Sequence, residues 1–463
     1  MGSWSAMIEQ QSPALSSALA AIVAEQYVTA DPAMCADYAV QGIVPGCVVA
    51  PGSLEELSAV MRVAYQRRAA VVPWGGGTQQ NIGAPPAKVD LLVRIERLNR
   101  VLIHEPDDLT ISVEAGITLG ALQELTRKHG QMLPLDPPFA GRATIGGLLA
   151  TAADGPRRLG YGTLRELTIG IAVVEASGRI TRGGGMVVKN VSGFDMMKLY
   201  LGSLGTLAII TSANFKLLPL PRAAATLLCT FRDPAAAFAA IEAIQLTQLT
   251  PTAAEYLNNA ALKEILGTEN TDDTAQARKR ATAAFSASAV ASYQCALALR
   301  AEGLPQAVER HIAELSALTA RHGATDMQRL DREDDAALWE RIADLPQTAA
   351  LAADEALIKL TTLPFEVERA IAQIELLAAH SDARAAINAR ALNGVIYVRL
   401  RPVSAASLSA LLAELPGTQW VATALTGVPR WGTPPPGMEL MRRIKVEFDP
   451  AGMLNQGRYV AGI

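Results

Sequence analysis

The stretch VVPWGGGTQQNIG, residues 71–83, restricts the fold more than any other in this 463-residue chain. A short apolar run that reads as a strand leads directly into Gly75, Gly76 and Gly77. Without a Cβ, the backbone there can turn tightly or approach a ligand closely. Backbone N–H groups turned to one side form a nest for an anion, typically a phosphate. Thr78, Gln79 and Asn81 follow as neutral hydrogen-bonding side chains. A plain tight turn is the competing reading, because glycine often only punctuates.

Two further blocks favour the ligand reading. In ATIGGLLATAADGPRRLGYGTLRELTIG (143–170), Thr144 precedes Gly146 and Gly147 at what reads as the start of a short helix, a second seat for an anion. KNVSGFDMMKLYLGSLGTLAIIT (189–211) brings another glycine pair ahead of a strand. Two phosphate-compatible loops suit a diphosphate with a large remainder. No G-x-G-x-x-G follows a strand, GYGTLR lacks its third glycine, and there is no G-x-x-x-x-G-K-[ST]. A Rossmann fold and P-loop hydrolysis are therefore not expected.

The bulk properties exclude several other classes. The length suggests two or three domains. Half of the residues are hydrophobic, 19% are charged and the net charge is −4, so there is no electrostatic footprint for nucleic acid. Cys35, Cys47, Cys229 and Cys295 are scattered without a C-x-x-C, which argues against a disulfide framework, a zinc site or an iron–sulfur cluster on this chain. They read as reduced thiols of a cytosolic protein. No uncharged apolar run is long enough to form a transmembrane segment. SPALSSALAAIVAEQY (12–27) lacks a basic leader and reads as an amphipathic helix, not a signal peptide. Met1–Ala6 read as an addition ahead of a start at Met7.

From about 40 to 220 the chain is rich in glycine and in short β-branched runs. Ser53 and Glu56 have capping-box spacing ahead of a helical apolar repeat. AVVPW, VDLLVRI, LTISVEAG, ELTIGIAVVEASG and GTLAIITSANFKLLPLP read as strands, and Gly130 as a helix stop. From 222 to 425 glycine thins and strand-like pieces (TLLCTF, QCALALR, ALIKLTTLP, GVIYVRL) alternate with helix-like ones. That predicts an α+β domain, a sheet with helices on one side. GTENTDDTAQARKR reads as a polar loop. Residues 426–463 form a Pro-rich turn, a helix and a tail.

Taken together, PWGGGTQ, ATIGGLLATAADGPRRLGYG and KNVSGFDMMKLYLGSLGTLAIIT resemble the blocks of FAD-binding domains of the vanillyl-alcohol oxidase (PCMH) type. RRIKVEFDPAGMLNQGRYV is similar to that family's carboxyl-terminal block. Within the family, the whole length resembles the subunit-E branch of bacterial glycolate oxidases (glycolate dehydrogenases). The resemblance implies an α+β chain with a FAD-binding domain at 1–221, an α+β cap at 222–425 and a return to the first domain at 426–463. It implies that Pro73, Trp74, Gly75, Gly76, Gly77, Thr78, Gln79 and Asn81 wrap the pyrophosphate. Thr144, Ile145, Gly146 and Gly147 would make the second diphosphate and ribose contact. Gly155, Tyr161 and Gly162 would line the adenine and ribityl path, and Pro137 is carried over with them. Ile209 would face the flavin through its backbone, and Asn455 would lie near the isoalloxazine. Gln456 replaces the family's usual proline there. With no His or Cys in 71–83, covalent linkage from that loop is excluded and the expected cofactor is non-covalent FAD. His104 reads as a surface or core histidine.

Related D-2-hydroxy-acid dehydrogenases carry a histidine-rich H-x-G-D-G-N-x-H metal motif in the cap. The matching stretch here, NARALNGVIYVRL (388–400), has neither histidine nor carboxylate, and the five histidines of the chain form no ligand spacing. Arg390, Arg399 and Arg401 can clamp a substrate carboxylate or stand as exposed strand charges. Lys189 and Lys198 can neutralise a reduced flavin or be ordinary surface lysines. The catalytic residues are left unassigned and no metal is expected. The resemblance thus implies a subunit of a heteromeric dehydrogenase that oxidises glycolate to glyoxylate. Its partners would be a sister flavoprotein subunit with the histidine motif and an iron–sulfur subunit taking the electrons. It would be cytoplasmic, membrane-associated only through partners. The alternatives are a stand-alone metal-free flavin dehydrogenase and a structural subunit that holds FAD without turnover.

Overall fold

The computed structural model describes residues 15–186, 194–267, 293–347 and 351–463. The expected polar loop after Gly267, Lys189 and Met1–Ala6 lie outside them. Apolar side chains collect into two principal cores. One runs from Leu15 to Leu217 and takes in Met453 and Leu454. The other runs from Ala225 to Val428.

Two larger sheets build the first region, beside a two-stranded pair of Gln131–Met132 and Leu218–Pro219. Val28–Thr29, Val48–Val49, Leu91–Arg94 and Val71–Trp74 form a four-stranded sheet in that order, its last two pairings parallel. Val101–Glu105, Thr110–Glu114, Ala208–Lys216, Thr168–Glu175 and Ile180–Gly184 form an antiparallel five-stranded sheet. The helix Leu54–Gln66 opens on Ser53, whose side chain accepts from Glu56 N–H, a cap worth about 1 kcal/mol. Glu56 reaches back one residue beyond the expected box and accepts from Gly52 N–H at 2.6 Å. Gly130 stops the helix Leu119–Arg127 from the left-handed region, φ 67°.

The second region is an eight-stranded sheet. Its order is Asp326–Asp331, Ala223–Phe231, Cys295–Gly303, Ala253–Asn258, Arg384–Arg390, Val395–Arg401, Ala356–Thr361, Thr418–Thr423. Strand alternation gives its two faces different chemistry. Tyr256, Leu297, Ile358, Ile387, Val398 and Val421 pack against the helices Pro234–Gln245, Pro305–Arg321 and Val367–His380. The other face is not bare of helices, as the sequence pattern suggested. Leu228, Leu257 and Ala298 pack there against Asn259–Leu266 and Arg332–Asp344. The rest of that face carries Glu255, Lys359, Asn388, Arg390 and Tyr397, turned toward the first region.

The chain then returns. Val71 N–H donates to Met453 O at 2.8 Å and Asn455 N–H to Val71 O at 2.9 Å, so the tail runs alongside the strand that feeds the glycine triplet. The helix Met438–Phe448 fixes this return through buried Lys445. Its Nζ donates to Asp449, Thr206 O and Leu454 O at 2.6, 2.8 and 3.0 Å. Asp449 in turn accepts from the Met453 and Leu454 N–H groups.

Candidate functional site

A cleft of about 720 Å³ opens where the glycine triplet, the helix Ile145–Thr151, the loop before Ala208 and the returning tail converge. Among the described residues, the backbone N–H groups of Gly75, Gly76, Gly77 and Gln79 donate to no protein acceptor. Buried or half-buried N–H groups are nearly always paired, so a row of open donors on a cleft wall marks a place for an acceptor-rich ligand. The triplet also lies tight against its neighbour. A Cβ at Gly75 would overlap Thr144 Oγ1, and one at Gly76 the Arg142 carbonyl oxygen.

Arg458 supplies the cleft's charge. It is 4% exposed and has no carboxylate partner. Nε donates to Ala84 O, Nη1 to Gln80 Oε1 and Asn455 Oδ1, and Nη2 to Gln80 O and Ile82 O. All five N–H donors are thereby used. The side chain ties the loop after the triplet to the tail and leaves its positive charge uncompensated. Burial pushes its pKa down to about 10. Asn455 Nδ2 donates to Leu204 O, and Gln80 Nε2 to Pro73 O at 3.2 Å, which completes the frame.

Of the residues singled out in the sequence, the cleft brings together Pro73, Gly75, Gly76, Gly77, Thr78, Gln79, Thr144, Gly146, Gly147, Ile209 and Asn455. The second glycine pair offers something other than open donors: Gly146 N–H is taken by Ala115 O and Gly147 N–H by Thr144 Oγ1. Its contribution is close backbone approach. Trp74 points away and meets Tyr38 edge-on. Ile145 is wholly buried in the core. Asn81 lines a separate cleft of about 1370 Å³ with Gln41, Arg430, Trp431 and Tyr459. Pro137 belongs to neither lining. Gly155 lies tight against Asp136, and Tyr161 beside Glu302 of the second region. Gly162 ends the short helix Arg158–Tyr161. Sequence reasoning missed Gln80, Gly205 and Arg458 as lining residues. Gly205 belongs to a glycine pair it had marked, and Arg458 directly follows the family's Asn-x-Gly.

Between the two regions lies a buried layer of charge. Arg390 is 2% exposed and ion-paired with Asp154, with Glu255 Oε1 3.6 Å from its Nε. The reading of Arg390 as an exposed strand charge is therefore corrected: its strand faces the first region, not solvent. Arg399 is bound to Glu355 and to Leu345 O, and only Arg401 is exposed. Burial would raise the Asp154 carboxyl, but Arg390, Lys359 and Arg158 overcome it and hold the group well below the carboxylate range. At Glu255 burial wins over Arg390 and the Asn388 hydrogen bond, and its pKa is pushed up to about 8. Lys359 is 9% exposed and sits 5.7 Å from the Tyr397 ring centroid. Among the described residues its ammonium has no hydrogen-bonded or ion-paired partner. Tyr397 and Trp420, its cross-strand neighbours, pack with Ile82 and Leu204 of the cleft wall. No group of three or more His, Cys, Asp or Glu among the described residues is arranged for a metal ion.

Comparison with known proteins agrees with this architecture. Residues 45–184 match the family model for a FAD binding domain, and residues 220–399 and 432–459 the model for the C-terminal domain of FAD linked oxidases. The two matches together cover most of the chain, which belongs to the FAD-linked oxidases. It is an oxidoreductase and its cofactor is FAD. Over 440 residues it is 29% identical to the glycolate oxidase subunit GlcD of Bacillus subtilis, covering 90% of this chain and 89% of that one. A D-2-hydroxyglutarate dehydrogenase of Xanthomonas citri is 38% identical over 225 residues, about half of either chain. The 4-ethylphenol oxidase of Gulosibacter chungangensis has the same fold, with a TM-score of 0.72 at 16% identity over 97% of both chains.

The cleft fits this cofactor. Open N–H groups at Gly75–Gly77 and Gln79 suit the pyrophosphate oxygens, and the uncompensated Arg458 suits a ligand that brings negative charge. Among the described residues no helix is long and apolar enough to cross a membrane.

Proposed function

We propose that the chain is the FAD-binding subunit of a heteromeric 2-hydroxy-acid dehydrogenase that oxidises glycolate to glyoxylate and passes electrons to an iron–sulfur partner. The carrying observation is the cleft with its row of open backbone donors, in a chain similar over nine-tenths of its length to a glycolate oxidase subunit. FAD bound there supplies a two-electron acceptor. The protein's own part is to hold it through Gly75–Gln79 and Asn455, and to exclude water with Tyr397, Trp420, Ile82 and Leu204. Attachment is non-covalent, so acid precipitation releases all flavin into the supernatant. The electron exit belongs to a partner subunit, and the histidine motif to a sister flavoprotein.

One observation favours a second reading, a stand-alone dehydrogenase. Among the described residues, Lys359 is a buried ammonium with no hydrogen-bonded or ion-paired partner, on the sheet face that covers the cleft. An unpaired buried charge is costly, and a substrate carboxylate would relieve it. One experiment separates the two. The isolated, FAD-loaded chain is assayed with glycolate and D-lactate and an artificial electron acceptor, alone and after co-expression with its candidate partners. The first reading expects turnover only in the co-purified complex. Turnover by the isolated chain, lost in Lys359→Met with flavin content unchanged, establishes the second.

A further inference from the structure

We propose a second ligand site, for a small molecule bearing two or more anionic groups, in the groove between the first region and the outer strands of the cap sheet. This groove has a volume of about 1650 Å³ and shares no lining residue with the FAD cleft. Its ionisable lining is Arg127, Arg157, Arg222, Arg300, Arg329 and Arg332 against Glu302, Asp331 and Asp335. Six guanidinium groups face three carboxylates of the lining and Glu309 beside Arg329, which leaves an excess of positive charge in a chain whose net charge is −4.

The carboxylates are already committed. Glu302 takes Arg157 at 2.7 Å and Asp335 takes Arg300 at 2.6 Å, while Arg329 is held by Asp331 at 2.9 Å and, from outside the lining, by Glu309 at 2.6 Å. That leaves Arg127, Arg222 and Arg332, which among the described residues have no hydrogen-bonded or ion-paired partner. Scattered over a surface, three free arginines would mean nothing. Here they converge on one concavity whose floor holds Arg300, a guanidinium only 7% exposed.

The guanidinium fork matches phosphate and carboxylate oxygens in pairs. A monoanion would answer only one of the three rim charges, whereas a di- or trianion spans them. The rim arginines come from both sides. Arg127 ends a helix of the first region, Arg222 lies in the crossing to the second, and Arg332 starts the helix Arg332–Asp344. A bound polyanion would therefore tie the cap to the FAD-binding region beside the Arg157–Glu302 contact that already joins them. Such a ligand acts on the relation between the two regions, not on the flavin.

The test uses the FAD-loaded protein and titration calorimetry with inorganic pyrophosphate, citrate and acetate, at low ionic strength and again at about 0.15 M, where exposed charges are screened over about 8 Å. Saturable binding of pyrophosphate or citrate is expected, weaker at the higher salt, with none for acetate. The two probes distinguish a phosphate from a carboxylate ligand. The double variant Arg222→Gln/Arg332→Gln should weaken binding at least about tenfold, about 1.4 kcal/mol, with flavin content and absorption spectrum unchanged. Arg127→Gln, at an exposed helix end, gives a smaller loss and serves if the double variant does not fold. Absence of saturable polyanion binding overturns the proposal. So does wild-type affinity in the variants, or binding that appears only as flavin is displaced.

Discussion

The FAD cleft and the layer between the two regions are neighbours, yet they solve opposite problems with opposite materials. On the proposed reading the cleft receives a charged ligand, almost without charged side chains. Its wall is glycine backbone with open N–H groups, and its one arginine, Arg458, is fully engaged by oxygens of the protein. The layer receives nothing in the FAD cleft's sense, yet it is dense with guanidinium and carboxylate groups. Arg390, Asp154, Glu255 and Lys359 all lie within it at 9% exposure or less. Backbone donors cost little to leave open at a cleft mouth, where water serves until the ligand arrives. Buried charges have no such stand-in, and Arg390 and Asp154 find each other. A site built from backbone should be destroyed by adding atoms, and a layer built from charge by removing them.

Adding atoms strikes the cofactor itself. In Gly76→Val the new Cβ meets the Arg142 carbonyl oxygen, which is backbone and cannot move aside. The triplet must shift, and its N–H groups lose their common aim. FAD affinity is expected to fall at least about a hundredfold, about 2.7 kcal/mol, and the protein to purify colourless. Flavin content after gel filtration measures it directly. A yellow variant with near-stoichiometric FAD would show that the backbone is not what holds the cofactor.

The same contrast explains what was legible in the sequence. The glycine triplet and Thr144 with its Gly pair shape the cleft through local backbone geometry, so short quoted stretches expose them. The strands and helices followed from periodicity. The layer is invisible at that range. Arg390 and Asp154 are 236 residues apart, and nothing local in NARALNGVIYVRL says that its strand faces another domain. Arg390 therefore read equally well as a free clamp or a surface charge. Arg458 was missed for a related reason. Its role depends on Gln80, Ile82 and Ala84, which only the folded tail brings within reach.

Removing atoms strikes stability instead of binding. Arg390→Met keeps most of the side chain's volume and deletes its charge. Asp154 keeps Arg158, at 2.6 Å, but loses its buried partner. Stability should fall by about 3–5 kcal/mol, the cost of breaking a buried ion pair from one side. Urea denaturation of the FAD-loaded protein measures it. At low temperature, while folded, the variant should still bind FAD, because no cleft residue has changed. A loss below about 1 kcal/mol, the range of an exposed pair, would mean that the layer is a solvated surface after all.

Glu255 gives the finest discrimination. Its Oε2 accepts from Asn388 Nδ2 at 2.7 Å, while Oε1 has no hydrogen-bond partner. Burial, only partly offset by Arg390, raises its pKa from 4.5 to about 8. The folded chain then holds this proton between pH 4.5 and 8 while the unfolded chain releases it. Folding binds protons in that window, so Glu255's contribution to stability is whole below pH 4.5 and is lost as pH rises toward 8. Glu255→Gln keeps the acceptor for Asn388 and removes the titration. The stability of wild type relative to this variant should decline with pH by up to about 1.4 kcal/mol per unit. Asp136, whose burial raises it to about 6, titrates in both proteins and largely cancels in the difference. Denaturation curves for both proteins at pH 5, 6, 7 and 8 suffice. A difference that stays flat would show Glu255 ionised in the fold and shared with Asp154 across Arg390. The layer would then be a closed ion-pair network, not one with a protonated member.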